Sequence, residues 1–543
     1  MRAAPTQVPS QAGGGHKRPP ESTRAPSTEL SKDLLAKSET QARALPPAMR
    51  SLALAQIAAA EVLSERDHAV SLLREAFLAA TSIQDDPTAK DYLQDLILQA
   101  LIPLNQAAAD ELTQQAEERP RRAALGLLMG QAARHHQFDR ALDILNRLAG
   151  EPGDFPYQRA TELMMAIPAE RNADRVFVFG QAFNHYKGEP AATSMHVTGE
   201  TFSRMLARFW NWLPKAMVLE AIEEILAKAK KADGEEGVQV TAATAEGSAS
   251  FNSYYEYCLF EVLPVLRKLD PQHADSLLRD TAQLRPVIEK YANGLQSLDP
   301  TIRDTPLGPG EHSSLNVGLL LKASHQGSDG LVTPFNTDAQ VRSQYRAEVA
   351  RIIEASRSNP MQALARADSL PEVITGYWAR AAALQGIAGV ALKSDPSAAS
   401  SAVGELRRLA GHVESQYLRA TFLISVADLY LTLGNRDAAQ EAIQDGTKCA
   451  LALYDKDKNP DDPNKAMKAF WPSTAVWRLF IVLASRISLE AANEIIDSIR
   501  DDDIRISERV ALAVALAGAT PRRNVVIVKT KGSMSQTTLD LPE

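Results

Sequence analysis

RATFLISVADLYLTLGNRDAAQEAI, from Arg419 to Ile443, reads as two helices joined by a tight turn. Phe422, Val426 and Leu429 recur at helical spacing and give the first helix one apolar stripe. Gly434 and Asn435 follow, and both tolerate a left-handed backbone, so they mark a stop. A second helix starts near Asp437, with Ala438, Ala439, Ala442 and Ile443 at its apolar positions. The small side chains of Ala427 and Ala439 let two antiparallel helices approach closely.

The order of small residue, tyrosine, glycine, alanine and aliphatic at Ala427, Tyr430, Gly434, Ala439 and Ile443 resembles a tetratricopeptide (TPR) repeat. Leu451 stands where that family has proline, and Leu423 where it often has tryptophan, so the likeness is to the general helical solenoid. The resemblance implies an all-α fold: an α-α superhelix of antiparallel helix pairs, a TPR-like solenoid. It also implies a concave surface that binds a protein or peptide.

Looser copies recur. Arg50, Arg122, Arg380, Arg419 and Arg509 are each followed eight residues later by a small residue: Ala58, Gly130, Ala388, Ala427 and Ala517. A second alanine (Ala69, Ala141, Ala399, Ala439) follows four of these arginines at 19 or 20 residues. The alanines are explained by helix contact, whereas the arginines lie off that stripe. Such an arginine is an exposed or salt-bridging position near a helix start. Stacked units also align repeated positions in rows, which offers a ladder for acidic groups. On that reading Arg380, Arg419 and Arg122, with Tyr377 and Trp378 beside the first, are the candidate partner contacts.

The chain has 543 residues, 45% hydrophobic and 23% charged, the balance of a folded globular protein. Aromatic residues make up 6%, and with alanine and leucine dominant this favours helices. A net charge of −8 gives no reason to expect nucleic acid as the main partner. Two cysteines, Cys258 and Cys449, make no disulfide framework and read as small buried apolar residues. No run of about 18 apolar residues predicts a membrane span, and the first residues carry no apolar signal core. A Pro/Ser/Gln-rich start also suits a trimmed, exported form, so the compartment stays open between cytoplasm and export.

Residues 1–28 read as a disordered tail and 29–230 as N-terminal helical repeats. Residues 231–250 read as a flexible loop, and 251–298 as a helical pair, Ser253 to Leu269 and Gln272 to Leu295. Residues 299–337 form a long insertion whose apolar patch, Val317 to Leu321, folds onto the body. Residues 338–520 are C-terminal TPR-like repeats. Residues 521–543 are a tail in which Asn524 to Val528 suits a short strand or a mobile end.

Sites for chemistry are sparse. His135-His136 before Asp139 suggests a metal site, but adjacent helical histidines point about 100° apart, and a turn between repeat helices fits better. Asp455, Asp457, Asn459 and Asp461 resemble a calcium loop, yet Pro460 and Ala466 replace the glycine and glutamate it requires. The stretch reads instead as an acidic inter-helix loop. Aromatic clusters at Phe209, Trp210 and Trp212, at Tyr254, Tyr255 and Tyr257, and at Phe470, Trp471 and Trp477 divide between core and groove rims. No phosphate-binding glycine loop, nucleophile elbow or zinc cluster is present, and no cofactor is expected. The expected function is a non-catalytic scaffold for a protein or peptide partner. The competing readings are an enzyme, or an enzyme's helical accessory domain, with a site near 299–337, and a purely structural protein.

Overall fold

The computed structural model describes residues 28–191, 201–236, 238–243, 248–298, 316–321, 334–373, 378–458, 468–518, 524–530 and 533–539. Positions 1–27, almost all of the tail read as disordered, lie outside them, as do most of 299–337 and Tyr377.

The fold is all-α. In chain order the helices are α1 (Thr28–Arg43), α2 (Pro47–Glu61), α3 (Arg66–Thr81), α4 (Pro87–Leu101), α5 (Gln106–Gln115) and α6 (Glu118–Arg134). Then come α7 (Phe138–Gly150), α8 (Tyr157–Ala166), α9 (Asn172–Gly188), α10 (Phe202–Phe209), α11 (Lys215–Glu236) and α12 (Tyr254–Leu269). Next are α13 (Pro271–Asp280), α14 (Arg285–Lys290), α15 (Leu295–Leu298), α16 (Pro334–Ser356), α17 (Pro360–Asp368) and α18 (Ala379–Ala391). The last are α19 (Pro396–His412), α20 (Gln416–Thr432), α21 (Arg436–Asp457), α22 (Pro472–Ser485), α23 (Leu489–Ser498) and α24 (Asp502–Leu516). No helix among the described residues is long and apolar enough to cross a membrane.

The chain forms two compact units. One is built from both ends, Met1–Leu93 with Pro334–Glu543, and the other spans Gln94–Thr333. In the first unit α20 pairs with α21, α18 with α19 and α2 with α3, and α1 and α2 pack on α24. In the second α6 pairs with α7 and α11 with α12.

The hairpin from Arg419 to Ile443 is the α20–α21 pair. Its stop is built as the residues require: Gly434 has φ +78°, and Asn435 accepts a hydrogen bond from the Ala438 amide at 3.2 Å. Ala427 and Ala439 are fully buried between the helices.

Turns within pairs share one chemistry. Asn359 and Asp395 cap α17 and α19 with nearly identical backbone angles, φ −147° and ψ near 80°, each ahead of a proline in the first helical position. Asp270-Pro271 opens α13 in the same conformation. Ser488 caps α23 through the Ala491 amide at 3.1 Å.

Three stretches differ from the sequence reading. First, residues 231–250 are no simple loop. They hold the end of α11, strand β1 (Val238–Ala243) and the start of β2 (Ser248–Phe251). β3 (Asn316–Leu321) lines up against β1, giving an antiparallel sheet of order β2-β1-β3. The alternation of Val240 and Ala242, both buried, carries this sheet; the distant partner strand stabilises a sequence too poor in bulky residues to signal it alone. Second, the expected helix from Gln272 to Leu295 is broken. α13 ends at Asp280 and a 3₁₀ turn follows, because Pro286 lacks an amide donor and suits only a new first turn. Third, α21 runs to Asp457, so Asp455 and Asp457 are helical, and Asp457 accepts the Ser473 amide that opens α22. Asn459 and Asp461 lie outside the described residues. β4 (Asn524–Thr530) and β5 (Ser533–Leu539) form an antiparallel hairpin at the end of the chain.

Candidate functional site

The repeated arginines have a common occupation. Arg50 Nε donates to the Leu45 carbonyl at 3.1 Å, Arg419 Nε to Val413 at 2.9 Å, and Arg505 Nη1 to Ile499 at 3.2 Å. Arg380 donates to the Leu370 carbonyl at 2.8 and 3.0 Å and to that of Asp368 at 2.7 Å. Arg175 makes the same bond to Ile167 in the second unit. The shared acceptor is in each case a buried aliphatic residue one or two positions beyond a helix end.

The geometry explains the recurrence. Arg50, Arg175, Arg419 and Arg505 are the fourth residues of α2, α9, α20 and α24. Helical side chains tilt back toward the N-terminus, so an arginine one turn in reaches across to the preceding connection. There it meets carbonyls left without partners at the end of the previous helix, where a positive charge also favours the dipole. From α16 to α21 these arginine joints alternate with the Asn or Asp caps of the within-pair turns. The sequence register at the last copy is therefore off by one helical turn. Arg505 makes the joint, with buried Ala513 eight residues on, while Arg509 binds Asp497.

Arg122 works differently: it donates forward to the carbonyls of Leu148, Glu151 and Asp154 at the far end of its partner helix. Trp378 is half-buried and meets the Phe422 ring edge-on at 5.4 Å. Arg380 also lies 3.7 Å from Glu372, which faces Arg408 and His412. Arg380 and Arg419 thus hold the joints on either side of the α18–α19 pair. Arg380→Met and Arg419→Met should each lower stability by about 1.5–3 kcal/mol, the range for hydrogen bonds to a charged group. Denaturant midpoints measure this, and unchanged midpoints would remove the joint role.

A second concentration of basic residues surrounds α12. Its interior is a buried polar network. Glu261 accepts hydrogen bonds from Ser203 Oγ and Tyr257 Oη, and Arg204 Nε lies 3.5 Å away. Arg204 Nη2 also donates to Tyr257 Oη at 3.0 Å. Burial raises the Tyr257 hydroxyl and the neighbouring Cys258 thiol well above their ordinary values. The thiol therefore stays protonated and is a poor nucleophile. Pro264 lies inside the helix, and Gly294 (φ +60°) packs against the Phe260 carbonyl and the Pro264 ring. A Cβ there would sit 2.7 Å from that carbonyl, so glycine is required by both conformation and space.

Beyond the end of α12 the broken path of α13 and α14 borders an open groove of about 700 Å³. Arg267, Arg279 and Arg285 line it, with Asp275 and Glu289. All three arginines are exposed, and none is within ion-pair distance of a carboxylate among the described residues. Sequence reasoning did not single them out. They come from three helices, and their convergence depends on the breaks at Asp270 and Pro286.

The remaining sequence candidates lie in turns, ion pairs and packed rings. His135 and His136 form the α6–α7 turn, His136 with φ +57°. Glu39, Glu61 and His68 bring ligand-type atoms within 4.8 Å of one another. Their mutual contacts and the Arg43–Glu39 pair at 2.7 Å account for that grouping. Phe209, Tyr254, Tyr257, Trp471 and Trp477 are core, whereas Trp210 and Trp212 are half-buried. Arg175 lies over the Trp212 ring at 3.9 Å. Both cysteines are buried and free.

No family model matches the chain, and no curated protein matches it. Among solved structures it is similar to a circular tandem repeat protein with novel repeat topology and enhanced subunit contact surfaces, at 12% identity over 91% of this chain and 100% of that one. The TM-score is 0.16, too low for the alignment to carry an argument about fold or function.

Proposed function

We propose that the protein is a TPR-like, non-catalytic helical-repeat scaffold that binds an acidic stretch of a protein or peptide partner. The observation that carries this reading is the groove in which Arg267, Arg279 and Arg285 converge, none of them within ion-pair distance of a carboxylate among the described residues. Elsewhere the arginines are mostly consumed by the fold, at the joints or in ion pairs such as Arg43–Glu75 and Arg407–Glu441. Exposed guanidinium groups on three separate helices suit carboxylates spaced along an extended chain. In this reading Arg380 and Arg419 act through the joints they hold.

The test uses a fluorescently labelled glutamate-rich peptide and the full chain. Binding should weaken as salt rises, and Arg267→Ala/Arg279→Ala/Arg285→Ala should weaken it at least about tenfold, about 1.4 kcal/mol. Equal binding by wild type and the triple variant would sink the proposal. Arg380→Ala/Arg419→Ala tests the ladder: an affinity lost without denaturant, at a temperature where the variant is still fully folded and with the groove arginines intact, would move the contact there.

A further inference from the structure

We propose that His68 is a pH-sensitive latch that holds α1 against its neighbours while protonated and loosens it as pH rises. α1 joins the two ends of the chain, since it packs on α24 as well as on α2. Its apolar hold is slight: among the described residues its buried apolar side chains are Leu35 and Ala42. A helix with so little buried apolar surface belongs to the low-stability end of a fold, where polar contacts decide whether it stays docked.

Those contacts run along α3 and its N-cap. Lys32 meets Glu65 at 3.3 Å, Glu39 meets His68 Nε2 at 3.5 Å, and Arg43 Nε meets Glu75 at 2.9 Å. Lysine and arginine keep their charge through the neutral range, so of these cations His68 alone loses it there.

His68 is held from two sides. Nδ1 lies 2.6 Å from Glu61 at the end of α2, and Nε2 faces Glu39 of α1. A neutral imidazole has a single N–H, so only the protonated ring donates to both carboxylates. The oxygens of Glu39 and Glu61 lie within 4.8 Å of each other. Loss of the proton therefore removes one hydrogen bond and leaves two like charges close together. Arg43, 2.7 Å from Glu39, is shared with Glu75. α3 itself carries Arg66, Asp67, Arg74 and Glu75, with Glu65 just before it. On α24, which packs on α1 and α2, Arg505 binds Asp502, Glu508 binds Arg478 and Arg509 binds Asp497.

Burial works against the imidazolium, but the hydrogen bond and charge of Glu61, with the charges of Glu39 and Glu65, outweigh it and raise His68 above its ordinary value. The folded chain thus binds this proton more tightly than the unfolded chain does. The stabilisation is full below the unfolded value, about pH 6.5, while the carboxylates stay ionised, and it is lost as pH rises through the folded value.

The experiment is hydrogen exchange of the full chain, read by mass spectrometry on peptides of α1 and corrected for the intrinsic pH dependence of exchange. Between about pH 6 and about pH 9, protection of α1 should fall at least about threefold more than that of α20. His68→Gln should keep α1 at the lower protection throughout, and His68→Lys at the higher. The His68 ring resonances, assigned by their absence in His68→Gln, should titrate at the midpoint of the exchange step. Glu61→Gln should move that midpoint down, and it serves if a His68 variant fails to fold. No step in wild type, an equal step in both His68 variants, or a midpoint unmoved by Glu61→Gln would overturn the proposal. Effects of pH from elsewhere in the chain are common to all these proteins and cancel in the comparison.

Discussion

Arg478→Met unfolds at a lower denaturant concentration, with a loss of about 3–5 kcal/mol at neutral pH, the cost of stranding a buried charge. Arg478 on α22 and Glu508 on α24 form a buried pair, Nη2 to Oε1 at 2.7 Å and Nε to Oε2 at 3.4 Å. Their side chains are 9% and 0% exposed. Removing the guanidinium leaves a carboxylate with no water to solvate it. Replacing both partners, as in Arg478→Met/Glu508→Leu, should recover most of the loss, since apolar residues of similar volume are tolerated at such sites.

The pH dependence separates this account from simple loss of packing. Burial pushes the Glu508 carboxyl above its usual value, and Arg478 pulls it partly back. A carboxyl raised in the folded state binds its proton more tightly than in the unfolded chain. Stability is therefore lost as pH rises from the unfolded value, about 4.3, through the folded one. Without Arg478 the folded value climbs further and the window widens upward. The deficit of Arg478→Met should be small near pH 4 and full near pH 7, and Glu508→Gln should abolish the difference. A deficit equal at both pH values would show that the charge is not its cause.

Gly446→Ala destabilises the same unit by about 2 kcal/mol, although alanine is the better helix former by about 1 kcal/mol. Gly446 lies inside α21, where a Cβ would meet three atoms of the Phe480 ring at 1.9, 2.3 and 2.5 Å. Phe480 is fully buried on α22, so the ring has no open space to move into. Phe480→Leu should partly relieve the clash, with a coupling of about 1 kcal/mol in a double-mutant cycle. Gly389 in α18 supplies the control. It is exposed, a Cβ there would meet nothing within 4 Å, and Gly389→Ala should stabilise by about 0.5–1 kcal/mol. A stabilised Gly446→Ala protein would contradict the packing of α21 on α22.

The helical pairs were legible because their signals are local. Apolar spacing, Gly434-Asn435 and the buried alanines needed no distant partner to be read. The recurrence of the arginines was legible too, but not what they bind. Their partners are backbone carbonyls, which leave no trace in residue identity. For the same reason Arg509 was an acceptable match to the pattern although Arg505 makes the joint. In the sheet, β1 and β2 pair locally but hold few bulky residues to signal strands, and β3 was missed because Asn316–Leu321 joins Val238–Ala243 across a long stretch of chain.

The candidate sites were less legible still. Arg267, Arg279 and Arg285 sit in a region whose expected helix is broken, and only the broken path brings them to one groove. Arg204 and Glu261 look like ordinary surface charges in sequence, yet both are buried in contact with each other. The amino-acid sequence by itself determined an all-helical fold and the places where its pairs turn, because caps and apolar periodicity act within one or two turns of chain. Tertiary structure alone decided which glycines have room for a side chain, which arginines are consumed by carbonyls and which remain exposed. Those outcomes depend on atoms brought together from distant parts of the chain, and no local pattern encodes them.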